Sequence, residues 1–191
     1  MVAGSILPIT IHKNKLLFLF GKENELADTP GFSDFGGGAN GKETPFQTAL
    51  REGSEELTGF LGDESAIAEM IQKNGGTYTM VQNGGTYHIH MFFMEYDEHL
   101  PTHFNQSRRF LWNRLSPKKQ KEMEKTKLFE KAEIQWFSLD EMKRRRSEFR
   151  PFYQEMVDAM LSDSDKIMEF CRKKMARKGK KTLRKTLRKG G

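Results

Sequence analysis

Cysteine is nearly absent from this sequence. Cys171 is the only cysteine among 191 residues, so no disulfide can form within the chain. Small secreted proteins built on disulfide frameworks are therefore excluded. The length is sufficient for one domain with its own hydrophobic core. We expect a protein of a reducing, intracellular setting, in the cytoplasm or, through its basic C-terminal segment, in the nucleus.

Long apolar runs are missing as well. Hydrophobic residues make up 36% of the chain, and no run approaches the roughly 20 apolar residues that a membrane-spanning helix needs. The first residues, MVAGSILPITIHKNK, lack the basic segment and long apolar stretch of a signal peptide. The sequence therefore predicts no membrane partner, and it leaves the oligomeric state open.

Acidic residues are missing from the C-terminal end. Residues 170–191 contain 11 Lys and Arg and no Asp or Glu, and residues 103–128 contain 8 basic and 2 acidic residues. The rest of the chain carries a net charge of −11. Two basic segments on an acidic body indicate an anionic partner, such as an acidic substrate or a nucleic acid.

Three glutamates, Glu52, Glu55 and Glu56, stand three and four positions apart in a predicted helix. This spacing places them on one helix face. Like charges about 5–6 Å apart repel by roughly 3 kcal/mol per pair at an effective dielectric constant near 20. A divalent cation would turn that repulsion into attraction, and Mg²⁺ is commonly held by a few carboxylates together with substrate phosphates.

The helix that bears these glutamates has clear end signals. Thr44 is a good N-cap, Pro45 fits the first helical position, and Gln47 completes a capping box. Gly59 is a natural stop. Before the helix lies the glycine loop, which consists of Gly36, Gly37 and Gly38.

The order of residues over positions 37–59 resembles the Nudix box, the signature of Nudix hydrolases. The elements of that order are Gly37, Glu43, Arg51-Glu52 and Glu55-Glu56. Two positions depart from the pattern, because Gly53 stands at a usually aliphatic position and Thr58 stands where the closing glycine is expected. We expect the later glycine at position 59 to lengthen the helix by one residue.

The resemblance implies an α/β/α sandwich with a mixed central sheet, and hydrolysis of a nucleoside diphosphate linked to another group, X. It implies Mg²⁺ or Mn²⁺ as the cofactor, held by the three helix glutamates with Glu130 as a further carboxylate. Glu52 is the first candidate for general base and Glu130 the second. Gly36, Gly37, Gly38 and Lys42 would approach the phosphates, whereas Glu43 and Arg51 would hold the loop against the helix.

Glu130 comes from the region of the chain that resembles the closing strand of a Nudix domain. It lies six residues before Trp136, the offset at which the decapping branch of the family carries a catalytic carboxylate. Glu133 is the near alternative. An exposed charge without function is the competing interpretation for each of the two.

The remaining pattern predicts hairpins at 5–20 and 77–96, and amphipathic helices at 63–73 and 149–161. His88 and His90 lie on one side of a strand, where a structural role is the default and metal ligation the alternative. We expect a Nudix domain over residues 1–165 with a basic helical insertion at 103–128. A basic helix and a disordered tail follow at 166–191.

The group X is not named by the box. The two basic segments, 103–128 and 170–191, favour the 5′ cap of messenger RNA, with capped RNA as the partner, and resemble the arrangement in Nudix proteins of large DNA viruses. One alternative is a pyrophosphatase for small molecules such as nucleotides, nucleotide sugars, dinucleoside polyphosphates or inositol pyrophosphates. Another is an RNA-binding Nudix module without turnover, although such a module should have lost box carboxylates that this chain keeps.

Overall fold

The computed structural model describes residues 2–24, 26–124 and 129–189, and of Glu124 and residues 178–189 it describes the backbone alone. Within these ranges seven strands form one mixed sheet: β1 (Ala3–His12), β2 (Lys15–Glu23), β3 (Phe32–Ser33), β4 (Phe35–Gly38), β5 (Thr77–Gln82), β6 (Tyr87–Phe93) and β7 (Lys131–Ser138). Strand β1 runs parallel to β6, and the other pairings are antiparallel.

The sheet forks at β1. The second half of this strand pairs with β2 from Ile9 to His12, whereas its first half pairs with β4 from Ala3 to Ile6. Strand β4 consists of Phe35 and the glycine loop. The fork therefore fixes the glycine loop beside the centre of the sheet.

Helices cover both faces of the sheet. They are α1 (Pro45–Glu56), α2 (Glu64–Lys73), α3 (His99–Trp112), α4 (Pro117–Glu124), α5 (Leu139–Arg144), α6 (Gln154–Ser162) and α7 (Ser164–Lys189). Apolar side chains of α1, α2 and α3 pack with one face of the sheet, and those of α5, α6 and α7 pack with the other. The predicted α/β/α sandwich with a mixed central sheet is confirmed.

Local signals account for the element boundaries that the sequence predicts. Lys13 and Asn14 have φ values of 48° and 60°, as a two-residue hairpin turn requires. The Thr44 side chain accepts a hydrogen bond from the backbone N–H of Gln47, and the reciprocal half of the capping box is present. Both features arise from neighbouring residues, which explains why they can be predicted without the fold.

The end of α1 differs from the expectation that the helix is one residue longer. The helix stops at Glu56, and Thr58 adopts a left-handed backbone with φ of 48°. Its N–H donates to the Glu55 carbonyl at 2.9 Å, while the N–H of Gly59 donates to Ser54 at 3.1 Å. Thr58 thus takes the conformation for which glycine is usually chosen, and the helix keeps its length.

The described part of the basic segment, residues 103–124, packs on the rest of the domain through α3. Phe104 and Trp112 of α3 are buried. The Asn105 amide donates to the Ile134 carbonyl at 3.1 Å and accepts from the Ile134 N–H at 2.8 Å, so α3 covers an edge of β7. Two of the predicted basic residues, Lys125 and Lys127, lie outside the described residues.

The C-terminal helix α7 begins at Ser164, beside the predicted domain boundary at residue 165, and that boundary stays a prediction. Ile167 and Cys171 are fully buried in the core, so the packed body continues past that boundary. The described backbone is helical to Lys189, and the Lys, Arg and Leu residues of this segment are good helix formers. The disordered tail stays a prediction. None of the helices in the described part of the chain is both long and apolar enough to span a bilayer.

Gly53 is required by close packing of α1 on β1, which gives the first prediction. A Cβ atom at this position would lie 2.3 Å from Ile6 Cδ1 and 2.5 Å from Cγ1. Although alanine favours helix by about 1 kcal/mol, we expect Gly53→Ala to destabilise the protein by about 1–3 kcal/mol through overpacking. Urea unfolding measures the change.

Ser54→Ala, on the same helix, is the matched control and should change stability little. The cost of Gly53→Ala should shrink in an Ile6→Ala background, because that change removes the clashing atoms. A Gly53→Ala protein that is as stable as wild type would refute the packing constraint.

Candidate metal and diphosphate site

Two of the three glutamates of α1, Glu52 and Glu56, meet the glycine loop at the end of the helix. A Cβ atom on Gly37 would lie only 2.6 Å from Glu52 Oε1, so a larger residue at this position would have to displace the Glu52 carboxylate. Glu56 Oε2 accepts a hydrogen bond from the Gly36 N–H at 2.9 Å. Glu52 and Glu56 are buried, whereas Glu55 is 37% exposed. The site therefore has two buried carboxylates and one that is partly exposed to solvent.

Arg51 ties the loop to the helix, as the resemblance implies. Its Nε and Nη2 donate to the two carboxylate oxygens of Glu43 at 2.9 and 3.1 Å, and Nη2 also donates to the Gly38 carbonyl at 3.1 Å. The guanidinium lowers the pKa of Glu43 to about 2. Glu43 therefore stays ionised, and this ion pair holds the chain between the glycine loop and α1.

The same guanidinium brings Glu52 and Glu55 to one point. Arg51 Nη1 lies 2.7 Å from Glu52 Oε1 and 3.4 Å from Glu55 Oε2. Two carboxylates that share one positively charged nitrogen can also share a metal ion, because both interactions are between oxygen ligands and a cation. The oxygen atoms of Glu52 and Glu55 thus already bind one positive charge, at the position of Arg51 Nη1.

Glu56 has a different partner, which the sequence analysis missed. Lys131 is 1% exposed, and its Nζ lies 3.3 Å from Glu56 Oε1, 2.6 Å from Glu23 Oε1 and 3.1 Å from Ser33 Oγ. An ammonium group has three donors, so these contacts use all of them. Lys131 therefore connects α1, β2 and β3 from its place at the start of β7.

A β-bulge directs Lys131 into this position. Lys22 pairs with Glu133 and Glu23 pairs with Lys131, so Ala132 is an extra residue between the two pairs. A bulge of this kind re-aims the neighbouring side chain. Lysine is almost never fully buried, and no local signal in the sequence marks the extra residue. Sequence reasoning therefore gives no means of finding this contact.

Burial and charge act against each other in the Lys131–Glu56 pair. Burial lowers the pKa of Lys131, but Glu56 and Glu23 raise it more, and the net shift is upward. Lys131 is accordingly charged. Burial raises the pKa of Glu56 well above its usual value, with Lys131 opposing the rise. For Glu56 the effect of burial is therefore larger than that of Lys131, and the net pKa shift is upward.

Glu130 and Glu133 lie in different surroundings. The charge of Glu130 contributes to raising the pKa of Glu56, which indicates that Glu130 lies near the α1 carboxylates. Glu133 instead contributes to raising the pKa of Arg145, a residue that follows α5 on the opposite face of the sheet. The choice between the two candidates stays a prediction.

Asn24 holds the backbone that carries Glu130. Its side-chain amide donates to the Phe129 carbonyl at 3.1 Å, and its backbone N–H donates to the Glu130 carbonyl at 2.8 Å. Asn24 is buried. The end of β2 thereby fixes the position at which Glu130 enters the site, another contact between distant parts of the chain that the sequence did not reveal.

Other sequence candidates lie apart from this centre. Lys42 is exposed in the loop before α1, and its role stays a prediction. His90 is buried, its Nδ1 lies 3.1 Å from Thr79 Oγ1, and burial lowers its pKa to about 4. His88 Nε2 lies 3.2 Å from the Gly85 carbonyl, so both histidines have structural contacts. Across the described ranges no three His, Cys, Asp or Glu side chains are already arranged as a metal site.

The absence of a preformed metal site among the described residues has a physical reason. Arg51 and Lys131 each draw carboxylates toward themselves, so the α1 glutamates converge on two protein cations instead of one vacant point. The assignment of Glu52, Glu55, Glu56 and Glu130 as metal ligands therefore stays a prediction. Its oxygen-donor chemistry suits Mg²⁺ or Mn²⁺.

Comparison with solved structures returns the same family that the box suggests. A Nudix hydrolase of M. smegmatis, RenU, is 13% identical, covering 87% of this chain and 88% of RenU, with a TM-score of 0.46. A Nudix hydrolase of Nitrosomonas europaea is 14% identical over 83% and 87%, with a TM-score of 0.35. The chain resembles Nudix hydrolases.

The Nudix domain of Shewanella oneidensis NrtR, solved in complex with ADP ribose, is 12% identical over 92% of this chain and 88% of that domain, with a TM-score of 0.38. No protein-family model matches the sequence, and no curated protein matches it significantly. At these identities and TM-scores the likeness to Nudix structures carries no argument about reaction or substrate, for which only the chain's own residues count.

The buried lysine gives the second prediction. We expect Lys131→Met to destabilise the protein by about 3–5 kcal/mol, because removing one partner leaves a buried charge uncompensated. The double variant Lys131→Met with Glu56→Gln should recover part of this loss, since it removes both charges. Chemical denaturation measures all three proteins.

Lys143→Met is the matched control, because Lys143 is exposed. It should change stability by no more than about 0.5 kcal/mol. If Lys131→Met is no more harmful than Lys143→Met, Lys131 does not hold the site together.

Proposed function

We propose that this protein is a metal-dependent hydrolase that cleaves a nucleoside diphosphate linked to a group X. One observation carries the proposal: Glu52 and Glu55 share a single cationic nitrogen beside a glycine loop in which a Cβ atom on Gly36 would clash with Ser5 and with the Gly4 carbonyl. We add Glu130, the residue before β7, to this set, because its charge contributes to raising the pKa of Glu56. A carboxylate cluster next to accessible backbone is suited to binding a diphosphate through a divalent cation.

The residues that would hold the cation are those of the α1 cluster. Glu52 and Glu55 come first, since they already share positive charge, and Glu56 and Glu130 complete the proposed set. When bound, Mg²⁺ or Mn²⁺ supplies charge neutralisation to the diphosphate and lowers the pKa of a water molecule. With or without the cation, Arg51 would stay hydrogen-bonded to Glu43 through its other two nitrogen atoms, Nε and Nη2.

The chain's own groups would then handle the proton. Water attacks one phosphorus atom, the bridging P–O bond to the leaving phosphate breaks, and the proton of the water passes to a carboxylate. Glu52 Oε1 already accepts a hydrogen bond from Arg51 at 2.7 Å, and Glu52 is buried. Glu130, which is only partly buried, is therefore our choice of general base.

For the group X we propose the 5′ cap of messenger RNA. The basic residues of α3 and α4 and the basic C-terminal helix support this choice, because phosphate contacts from Lys and Arg provide most of the affinity for nucleic acid. Phe110 and Leu111 of α3 are 56% and 49% exposed, so this helix presents apolar as well as basic groups. Small-molecule diphosphates and RNA binding without turnover are outcomes that the experiments below distinguish.

The third prediction tests the reaction class. The protein is incubated with Mg²⁺ or Mn²⁺ and a panel of capped RNA, nucleoside triphosphates, nucleotide sugars, dinucleoside polyphosphates and inositol pyrophosphates, and the products are identified. We expect turnover that excess chelator abolishes. Glu55→Gln should lower kcat by about 100-fold or more, because a lost metal ligand costs several kcal/mol of transition-state stabilisation.

Glu55 is the informative position because it is partly exposed and takes no part in the Lys131 contacts. Its substitution should leave unfolding unchanged, whereas Glu56→Gln disturbs a buried ion pair as well. Turnover at the wild-type rate in chelator, or in Glu55→Gln, would contradict the assignment.

The fourth prediction concerns the general base. Glu130→Gln should reduce kcat by about 100- to 10,000-fold, the usual contribution of general base catalysis. It should also remove the acidic limb of the pH–rate profile, since that limb reports the base losing its proton. Glu133→Gln, three residues away and on the opposite face, is the matched control. If only the Glu133 change slows turnover, the base is wrongly assigned.

The fifth prediction separates RNA from small-molecule substrates. Replacing the seven Lys and Arg of residues 178–191 by Gln leaves the buried Cys171 in place. If these residues hold RNA, the KM for long capped RNA should rise and its salt dependence should flatten. Each lost phosphate contact changes the slope of log affinity against log salt by about 0.7 for single strands.

The value of kcat should stay nearly constant, because such contacts bind ground state and transition state alike. Hydrolysis of a cap dinucleotide is the control, since it has no RNA body. An unchanged KM and salt slope on long RNA would favour the small-molecule substrate.

A further inference from the structure

A small cavity lies between α3 and the carboxylate site. Its volume is about 190 Å³. The lining is mostly apolar, with one hydroxyl and one guanidinium from α3; it consists of Thr58, Phe60, Phe104, Ser107, Arg108, Leu111, Phe129 and Lys131. Sites for drug-sized ligands usually measure about 300–1,000 Å³. This cavity is therefore of a size for one ring system and not for a whole nucleotide.

The cavity adjoins the site that would bind the diphosphate. Lys131 lines it and also contacts Glu56 Oε1 at 3.3 Å. Thr58, at the opposite rim, follows Glu56 by two residues. A ligand with a ring in the cavity would consequently place its attached groups beside the α1 carboxylates.

Aromatic rings form the walls on two sides. Phe60 is 37% exposed and packs edge-on against the buried Phe104, with ring centroids 5.2 Å apart. Phe129 packs edge-on against Trp112 at 6.0 Å, and the Arg108 guanidinium lies over the Trp112 ring at 4.4 Å. Aromatic faces and a stacked guanidinium are the groups on which nucleobases stack.

Phe129 is held in an unfavourable backbone conformation. Its φ is 67°, a left-handed value that is uncommon for a residue other than glycine. Asn24 fixes this conformation, since it donates to the carbonyls of both Phe129 and Glu130. The same buried residue thus holds a wall of the cavity through its side chain and the backbone of the proposed general base through its N–H.

A second cavity is less suitable for an anionic ligand. It measures about 640 Å³ and shares Phe60 with the first, but its rim contains Glu95, Asp97 and Glu98. Three carboxylates at the rim repel a phosphate-bearing molecule. The smaller cavity has cationic Arg108 and Lys131 instead.

We propose that the cavity between α3 and the box is the nucleobase pocket of this enzyme. The inference rests on the proposed function, because it assigns the ring of the nucleoside diphosphate to this cavity and the diphosphate to the α1 carboxylates. It makes α3 part of substrate recognition and accounts for its close packing on β7. The ligand class is a purine or pyrimidine nucleoside 5′-diphosphate.

Binding measured by calorimetry tests the pocket without turnover. The ligands are GDP, ADP and inorganic pyrophosphate, each with Ca²⁺. Ser107→Phe fills the cavity from an exposed position, and Gln106→Phe is the control at an adjacent exposed position outside it. Phe60→Ala is a second variant that removes a wall instead of filling the space.

Ser107→Phe and Phe60→Ala should each weaken binding of at least one nucleoside diphosphate by roughly 5- to 150-fold, the range that one stacked base contributes. Pyrophosphate affinity should stay the same, and Gln106→Phe should bind every ligand like wild type. Equal losses for Ser107→Phe and Gln106→Phe, or no loss for either cavity variant, would overturn the proposal.

The outcome is separable from the proposed function. If the cavity variants selectively lose nucleotide binding but the protein hydrolyses no diphosphate, the pocket is supported and the proposed hydrolase function is rejected. If the protein hydrolyses diphosphates and both cavity variants do so at the wild-type rate, the hydrolase function is supported and the pocket is rejected.

Discussion

The compensation of negative charge at the end of α1 is the constraint on which the site depends. Glutamates repel one another at helical spacing, and here two of them are buried. Arg51 and Lys131 reach the cluster from opposite sides, one from α1 itself and one from β7. Without these cations the helix end could not lie under the glycine loop. The protein therefore supplies positive partners to these carboxylates from its own side chains.

This arrangement has a consequence for binding. If the proposed cation binds between Glu52 and Glu55, it would compete with Arg51 Nη1, which makes two contacts at 2.7 and 3.4 Å. The guanidinium can give up these contacts and remain attached to Glu43 through its other donors. Lys131 has no comparable freedom, because Glu23 and Ser33 surround it as well. In the proposed function the two cationic side chains therefore have different roles. Arg51 lies next to the position that the metal would take, whereas Lys131 stays in place as a support.

The sequence was sufficient for those features that neighbouring residues determine. The Thr44 capping box, the Lys13-Asn14 turn and the glutamate face of α1 all follow from short-range spacing, and the structure contains each of them. It was insufficient where distant segments meet. The bulge that turns Lys131 inward depends on the pairing of β7 with β2, and the need for Gly53 depends on Ile6 in β1. Such contacts leave no periodic or local signal.

The most direct test of the central claim is a crystal structure of the protein with Mn²⁺, using anomalous scattering to locate the ion. The account predicts a peak about 2.1 Å, within about 0.2 Å, from carboxylate oxygens of both Glu52 and Glu55. Arg51 should be displaced from them but still paired with Glu43. A peak elsewhere, or none at saturating Mn²⁺ with Arg51 unmoved, would contradict the claim that these carboxylates form the cation site.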